Sequence, residues 1–207
     1  MSKIEHHPSS ELLLNYAMEN CKEAESLIIS SHIAYCPLCK EEVAKYQSIG
    51  GFFLNNQEEL NVSNSLWSDL LEKLDGVDQE DKTTNYVDHK VKTNLCNDSI
   101  RIPSFLHHYL ETSDTNMWSS TINNVKYYNL NFQDNSYKGK MLEIPPGKSM
   151  PKHSHEGLEA TMVFYGGYSD ESGNYNKGDL AILSGDEEHS PVSFENAGCL
   201  CLVIYSG

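Results

Sequence analysis

The chain is 207 residues long and 39% hydrophobic, enough apolar content to bury a core and enough length for one ordinary domain or two small ones. Fifteen Lys and Arg against thirty Asp and Glu leave a formal charge of −15, which argues against direct binding of DNA or RNA, because a polyanion needs a cationic face. A basic protein surface is the natural complement of such a field.

From Ser9 to about Leu74 the apolar spacing predicts four short helices. The first carries Leu13, Tyr16, Ala17 and Met18 behind a Ser9 or Ser10 cap; the second repeats the stripe with Ala24, Leu27, Ile28 and His32. The third holds Leu38, Val43 and Tyr46 and is expected to stop at Gly50-Gly51. The fourth, Leu66, Trp67, Leu70, Leu71 and Leu74, is strongly amphipathic. Residues 76–99 are polar and charged and read as a linker. After Ile100 the texture changes to short β-prone runs, among them ATMVFY and CLCLVIY, separated by turn signals such as Pro145-Pro146-Gly147, Gly166-Gly167 and Gly178. Many short strands with such punctuation indicate an all-β barrel or sandwich. The expected fold is thus α+β and multidomain: a four-helix domain over 1–75, a linker over 76–99 and an all-β domain over 100–207. No apolar run approaches the roughly 18 residues of a membrane span, and the opening MSKIEHHPSSE lacks the layout of a signal peptide. A cytoplasmic location is expected, with no membrane partner.

Only Cys36 and Cys39 of the six cysteines have metal-ligand spacing, and in a reducing compartment such a pair favours a metal over a disulfide. His32 completes H-x3-C-x2-C. Pro37 suits the first position of a helix, so one helix should end near His32 and the next begin at Pro37. Cys36 and Cys39 then lie at a positive helix end, which favours the thiolate. Two thiolates and an imidazole suit zinc, whose structural sites are four-coordinate. His6, His7 and Cys21 are the candidates for the fourth ligand. The segment from His6 to Cys39 resembles the start of the zinc-binding anti-sigma domain. In the ChrR branch of that family the early histidine stands 25 positions before the histidine of H-x3-C-x2-C. His7 to His32 is 32 − 7 = 25, so the resemblance assigns the ligands to His7, His32, Cys36 and Cys39, with His6 the next choice.

A second constellation, G-x5-H-x-H-x3-E-x6-G, runs from Gly147 through His153, His155 and Glu159 to Gly166. Two histidines two apart on a strand share a face, and His189 can add a fourth donor from a neighbouring strand. Three imidazoles and a carboxylate fit a divalent ion. This resembles the first cupin motif completely. The second motif keeps Gly178 and His189, with Ser184 and Asp186 where proline and glycine are usual. The resemblance implies a jelly-roll cupin domain with His153, His155, Glu159 and His189 as metal ligands, zinc first, with iron, manganese or nickel as alternatives.

Together the halves resemble ChrR-type anti-sigma factors. The resemblance implies that the helical domain binds an extracytoplasmic-function sigma factor and that the cupin domain serves the response to an oxidative or photooxidative signal. The helical part is itself acidic, five lysines against twelve acidic residues up to Asp75. Its fourth helix offers Leu66, Trp67, Leu70, Leu71 and Leu74 as a partner-binding face, with packing onto the other helices equally compatible with the periodicity. No catalytic residues are assigned. The rival expectation is a cupin dioxygenase or isomerase using Glu156 or Tyr165 as acid or base. Cys199 and Cys201 share a strand face about 7 Å apart and read as small core residues. His89, His107 and His108 read as surface or linker histidines.

Overall fold

The computed structural model describes residues 3–75, 89–96, 100–110, 118–121, 123–133, 135–151, 157–185 and 188–206. Four helices open the chain: α1 (Ser10–Ala17), α2 (Glu23–Ile33), α3 (Pro37–Asn55) and α4 (Asn64–Asp75). Ser9 caps α1, its Oγ accepting from the Leu12 amide. Glu25 caps α2 by reaching back to the Lys22 amide. At α3, Cys36 is the extended N-cap and Pro37 the first helical residue, as the missing amide hydrogen of proline favours.

The third helix does not stop at Gly50-Gly51. It continues to Asn55, because a glycine pair weakens a helix without forbidding it. The Asn56 and Gln57 side chains then donate to the Phe52 and Phe53 carbonyls at the far end. A Cβ at either glycine would meet nothing within 4 Å. Gly50→Ala and Gly51→Ala are therefore expected to raise stability by about 0.5–1 kcal/mol each, read as a higher urea midpoint. A lower midpoint would contradict the continuous helix.

The first described strand, β1 (His89–Val91), falls inside the segment expected as linker. It pairs with β2 (Ile100–Ile102) because Val91, Ile100 and Ile102 are all buried there. A 3₁₀ turn (Ser104–His108) follows, with Leu106 buried and His107 and His108 exposed. The remaining strands are β3 (Ser119–Ser120), β4 (Lys126–Leu130), β5 (Lys138–Ile144), β6 (Glu159–Asp170), β7 (Gly173–Asn176), β8 (Leu180–Leu183), β9 (Val192–Ser193) and β10 (Cys199–Tyr205). They form one antiparallel system in the order β3-β4-β5-β10-β6-β7, with β8 and β9 also on β6.

Strand β6 is long enough to serve two sheets. Its first half pairs with β8 and β10 and its second with β7 and β9. The bend lies at Gly166, whose φ of +62° and close approach to the Gly198 carbonyl leave no room for a Cβ.

Strands β6 and β10 are buried on both faces, which explains why their apolar runs are continuous rather than alternating. Met162, Phe164, Leu200, Leu202 and Ile204 belong to one cluster with Leu13, Ile28 and Ile29 of the helices. Val163, Cys199 and Cys201 belong to a second cluster with Val125, Ile144 and Tyr168 inside the barrel. The helical part and the barrel therefore share a core through the outer face of the sheet. Polar contacts add to it: Tyr109 and Tyr137 donate from their hydroxyls to Glu23 and Glu25 of α2 at 3.0 and 2.6 Å. Among the described residues no helix is long and apolar enough to cross a membrane.

Candidate metal centres and the exposed helical face

The break between α2 and α3 and the segment leading into α1 bring four donors together. One donor atom each from His7, His32, Cys36 and Cys39 lies within 4.8 Å of the other three. His7 Nδ1 is 3.4 Å from both sulfurs, and His32 Nε2 is 3.3 Å from Cys39 Sγ. Zinc bonds of about 2.3 Å to sulfur and 2.0–2.1 Å to nitrogen give nitrogen–sulfur edges of about 3.5 Å in a tetrahedron. The observed separations have that size, so the donor set and its spacing fit a small tetrahedral ion. His6, one residue away, is turned elsewhere: its ring packs 4.4 Å from that of Tyr175 and its Nε2 lies 3.2 Å from the Asn174 carbonyl. Cys21 is not in the cluster.

Burial shifts the titration of two of the four donors, His32 and Cys39. Desolvation lowers His32 to about 4, opposed by its bond to the Gly178 carbonyl, so the ring is neutral at pH 7. A carbonyl only accepts, so Nδ1 carries the hydrogen at 2.9 Å and Nε2 keeps the lone pair that faces the sulfurs. Cys39 departs from the sequence expectation. Burial, then the neighbouring Cys36 thiol, pushes it up to about 12. A cation among the four donors would favour the thiolate against this burial.

In the barrel, Glu159 and His189 are both buried and face each other, Oε1 to Nε2, at 3.6 Å. That is close to the separation of about 3.3 Å for two ligands of one tetrahedral ion. His189 Nδ1 lies 3.5 Å from Asp170 Oδ2, whose side chain is 1% exposed. Asp170 also caps the β6–β7 turn by accepting from the Ser172 and Gly173 amides. This carboxylate is absent from the sequence expectations, since only the fold brings it behind His189. His153, His155 and Glu156 lie outside the described residues. Glu159 and His189 sit on a cavity of about 540 Å³ whose other walls include Val125, Leu142, Tyr168 and Cys201. Tyr165 packs with the helix-facing cluster instead. Cys199 and Cys201 are buried thiols; their mutual hydrogen bond and then burial raise Cys199 well above its ordinary value.

The fourth helix is not packed away. Leu66, Trp67, Leu70, Leu71 and Leu74 are 43–60% exposed, and Ile49, Phe52, Phe53 and Leu54 of α3 are exposed as well. Exposed large apolar side chains gathered on one element are a general feature of interaction surfaces. The α3 part escapes a sequence reading that ends the helix at Gly50.

A helical unit gathering two histidines and two cysteines, seated on a cupin-like barrel, is the two-part arrangement of the ChrR-type proteins. Residues 107–206 match the family model described as the ChrR cupin-like domain. The whole chain is similar to the anti-sigma-E factor ChrR of Cereibacter sphaeroides, 27% identical over 199 residues, covering 96% of this chain and 88% of that one. Its fold is similar to that in the crystal structure of Rhodobacter sphaeroides SigE in complex with the anti-sigma ChrR. There the TM-score is 0.77 at 25% identity, over 99% of this chain and 100% of the other.

Proposed function

We propose that this chain is an anti-sigma factor that holds an extracytoplasmic-function sigma factor inactive through its zinc-bearing helical unit, and releases it when the barrel perceives an oxidative or photooxidative signal. The observation that carries the first part is the set of exposed apolar side chains on α4 and on the end of α3, in an acidic unit. A sigma factor offers basic surfaces for promoter DNA and apolar ones for polymerase; the acidic charge of the unit complements the first and the exposed apolar side chains the second. Likeness to a chain solved in complex with SigE supports the same reading. Zinc in the His7, His32, Cys36, Cys39 cluster supplies a cross-link between the chain start, α2 and α3. His32, Cys36 and Cys39 would hold it from buried positions and His7 from an exposed one. In the barrel, His153, His155, Glu159 and His189 are the proposed ligands of a second ion, again zinc first. The domain limits proposed are 1–75 for the clasp and 100–207 for the sensor.

Co-expression with a candidate sigma protein tests the reading. A one-to-one complex that no longer supports transcription in vitro is expected; a sigma protein that elutes alone contradicts it. For the sensing part, His189→Ala should still hold sigma and fail to release it under a photosensitiser in light. Release at the wild-type rate would remove the barrel from the response.

The cavity against Glu159 and His189 favours one second reading, a cupin dioxygenase or isomerase. Stoichiometric iron or nickel with oxygen uptake would support it, and two zinc per chain would support regulation.

A further inference from the structure

The turn between β7 and β8 belongs to the barrel, yet it grips the part of the chain that carries the helical metal ligands. Asp179 is fully buried. Its Oδ1 accepts from the Glu5 and His6 amides at 2.7 and 3.0 Å, and its Oδ2 from Asn176 at 2.7 Å. The Leu180 amide donates back to the His6 carbonyl at 3.1 Å. Both backbone groups of His6 are thus bound to the barrel, which fixes where the next residue, His7, begins. One residue before Asp179, the Gly178 carbonyl accepts from His32 Nδ1 at 2.9 Å. The chain start lies so close that a Cβ on Gly178, at φ +97°, would come within 2.7 Å of Ile4. Three consecutive barrel residues therefore orient two of the four donors. The same turn opens strand β8, whose Leu183 stands opposite Glu159 in the register with β6.

We propose that turn 176–180 of the barrel is the outer shell of the helical metal centre, with Asp179 as its positioning residue, so that metal affinity in the helical unit depends on how the barrel holds this turn. Outer-shell groups that fix ring orientation alter metal affinity by about 10–100-fold when removed. Here those groups come from the other half of the chain. Opening of β8 by any change at Glu159 would loosen His7 and His32 together. The inference rests on the metal reading given above and adds the residue that transmits between the halves.

Cobalt titration of the metal-free full chain tests it. The thiolate-to-cobalt absorption, identified by its loss in Cys36→Ser, reports the helical centre. Asp179→Asn should weaken that binding about 10–100-fold. Ile144→Ala, a destabilising change in the lumen cluster, should leave it at the wild-type value. Equal affinity in wild type and Asp179→Asn overturns the inference, as does equal weakening by both variants. No thiolate band in wild type overturns the metal reading and the inference with it. If Asp179→Asn does not fold, amide exchange on the wild-type chain decides: one equivalent of cobalt should slow exchange at His6 and Leu180, and unchanged exchange at Leu180 overturns the inference.

Discussion

Cys36→Ser or Cys39→Ser is expected to remove one metal ion per chain and to weaken sigma binding at least about 100-fold, while the barrel keeps its cooperative unfolding. The helical unit buries few apolar side chains, chiefly Leu13, Ala24, Leu27, Ile28, Ile29 and Val43, and these share one cluster with the outer face of the barrel. So small a core leaves little margin without a cross-link. Structural zinc sites supply about 10–16 kcal/mol of apparent binding energy at pH 7, which becomes folding energy where no site exists in the unfolded chain. The barrel has a second cluster around Val125, Ile144, Val163 and Tyr168 and does not lean on the helical ion. Isothermal titration with sigma and metal counting by mass spectrometry measure both effects. A serine variant that binds sigma as tightly as wild type would show that the ion is dispensable for the clasp.

Trp67→Ala combined with Leu70→Asp is expected to abolish measurable sigma binding and to leave the chain's own stability within about 0.5 kcal/mol, because exposed positions away from the core contribute little to folding. Trp67 is 59% and Leu70 47% exposed, and Leu66, Leu70 and Leu74 follow one another a turn apart on α4. Large apolar side chains near the centre of an interface each carry about 2 kcal/mol or more, roughly 30-fold in affinity. A buried carboxylate adds desolvation cost. Calorimetry of binding beside thermal unfolding separates the two roles. Undiminished binding would move the interface off α4; a large loss of stability would mean that the face packs against this chain.

The donors of the helical centre were legible because their chemistry is local. Pro37 marks the start of α3, while the preference for His7 over His6 came only from the family resemblance, with its 25 positions from His7 to His32. The barrel was legible from its short β runs and turn residues, and Glu159 and His189 of its motifs lie 3.6 Å apart. What escaped depends on approach between distant segments. Asp179 lies 173 positions from His6, to which it is bonded, and nothing in a lone Gly-Asp-Leu distinguishes it. Asp170 carries no signal in the sequence; only the fold sets one of its oxygens behind His189. The shared core of helices and barrel is written only as continuous burial in β6 and β10. A linker reading of 76–99 overlooked Val91 because three residues are too short for a periodic signal. At Gly50-Gly51 the local rule itself lost, since two glycines weigh less than the helix on either side.

Native mass spectrometry of the purified complex with its sigma partner, recorded while a chelator is added stepwise, tests the central claim most directly. The account predicts a one-to-one complex with zinc on Cys36 and Cys39, and complex and thiolate-bound zinc disappearing together. A one-to-one complex that persists after that zinc has gone would contradict it.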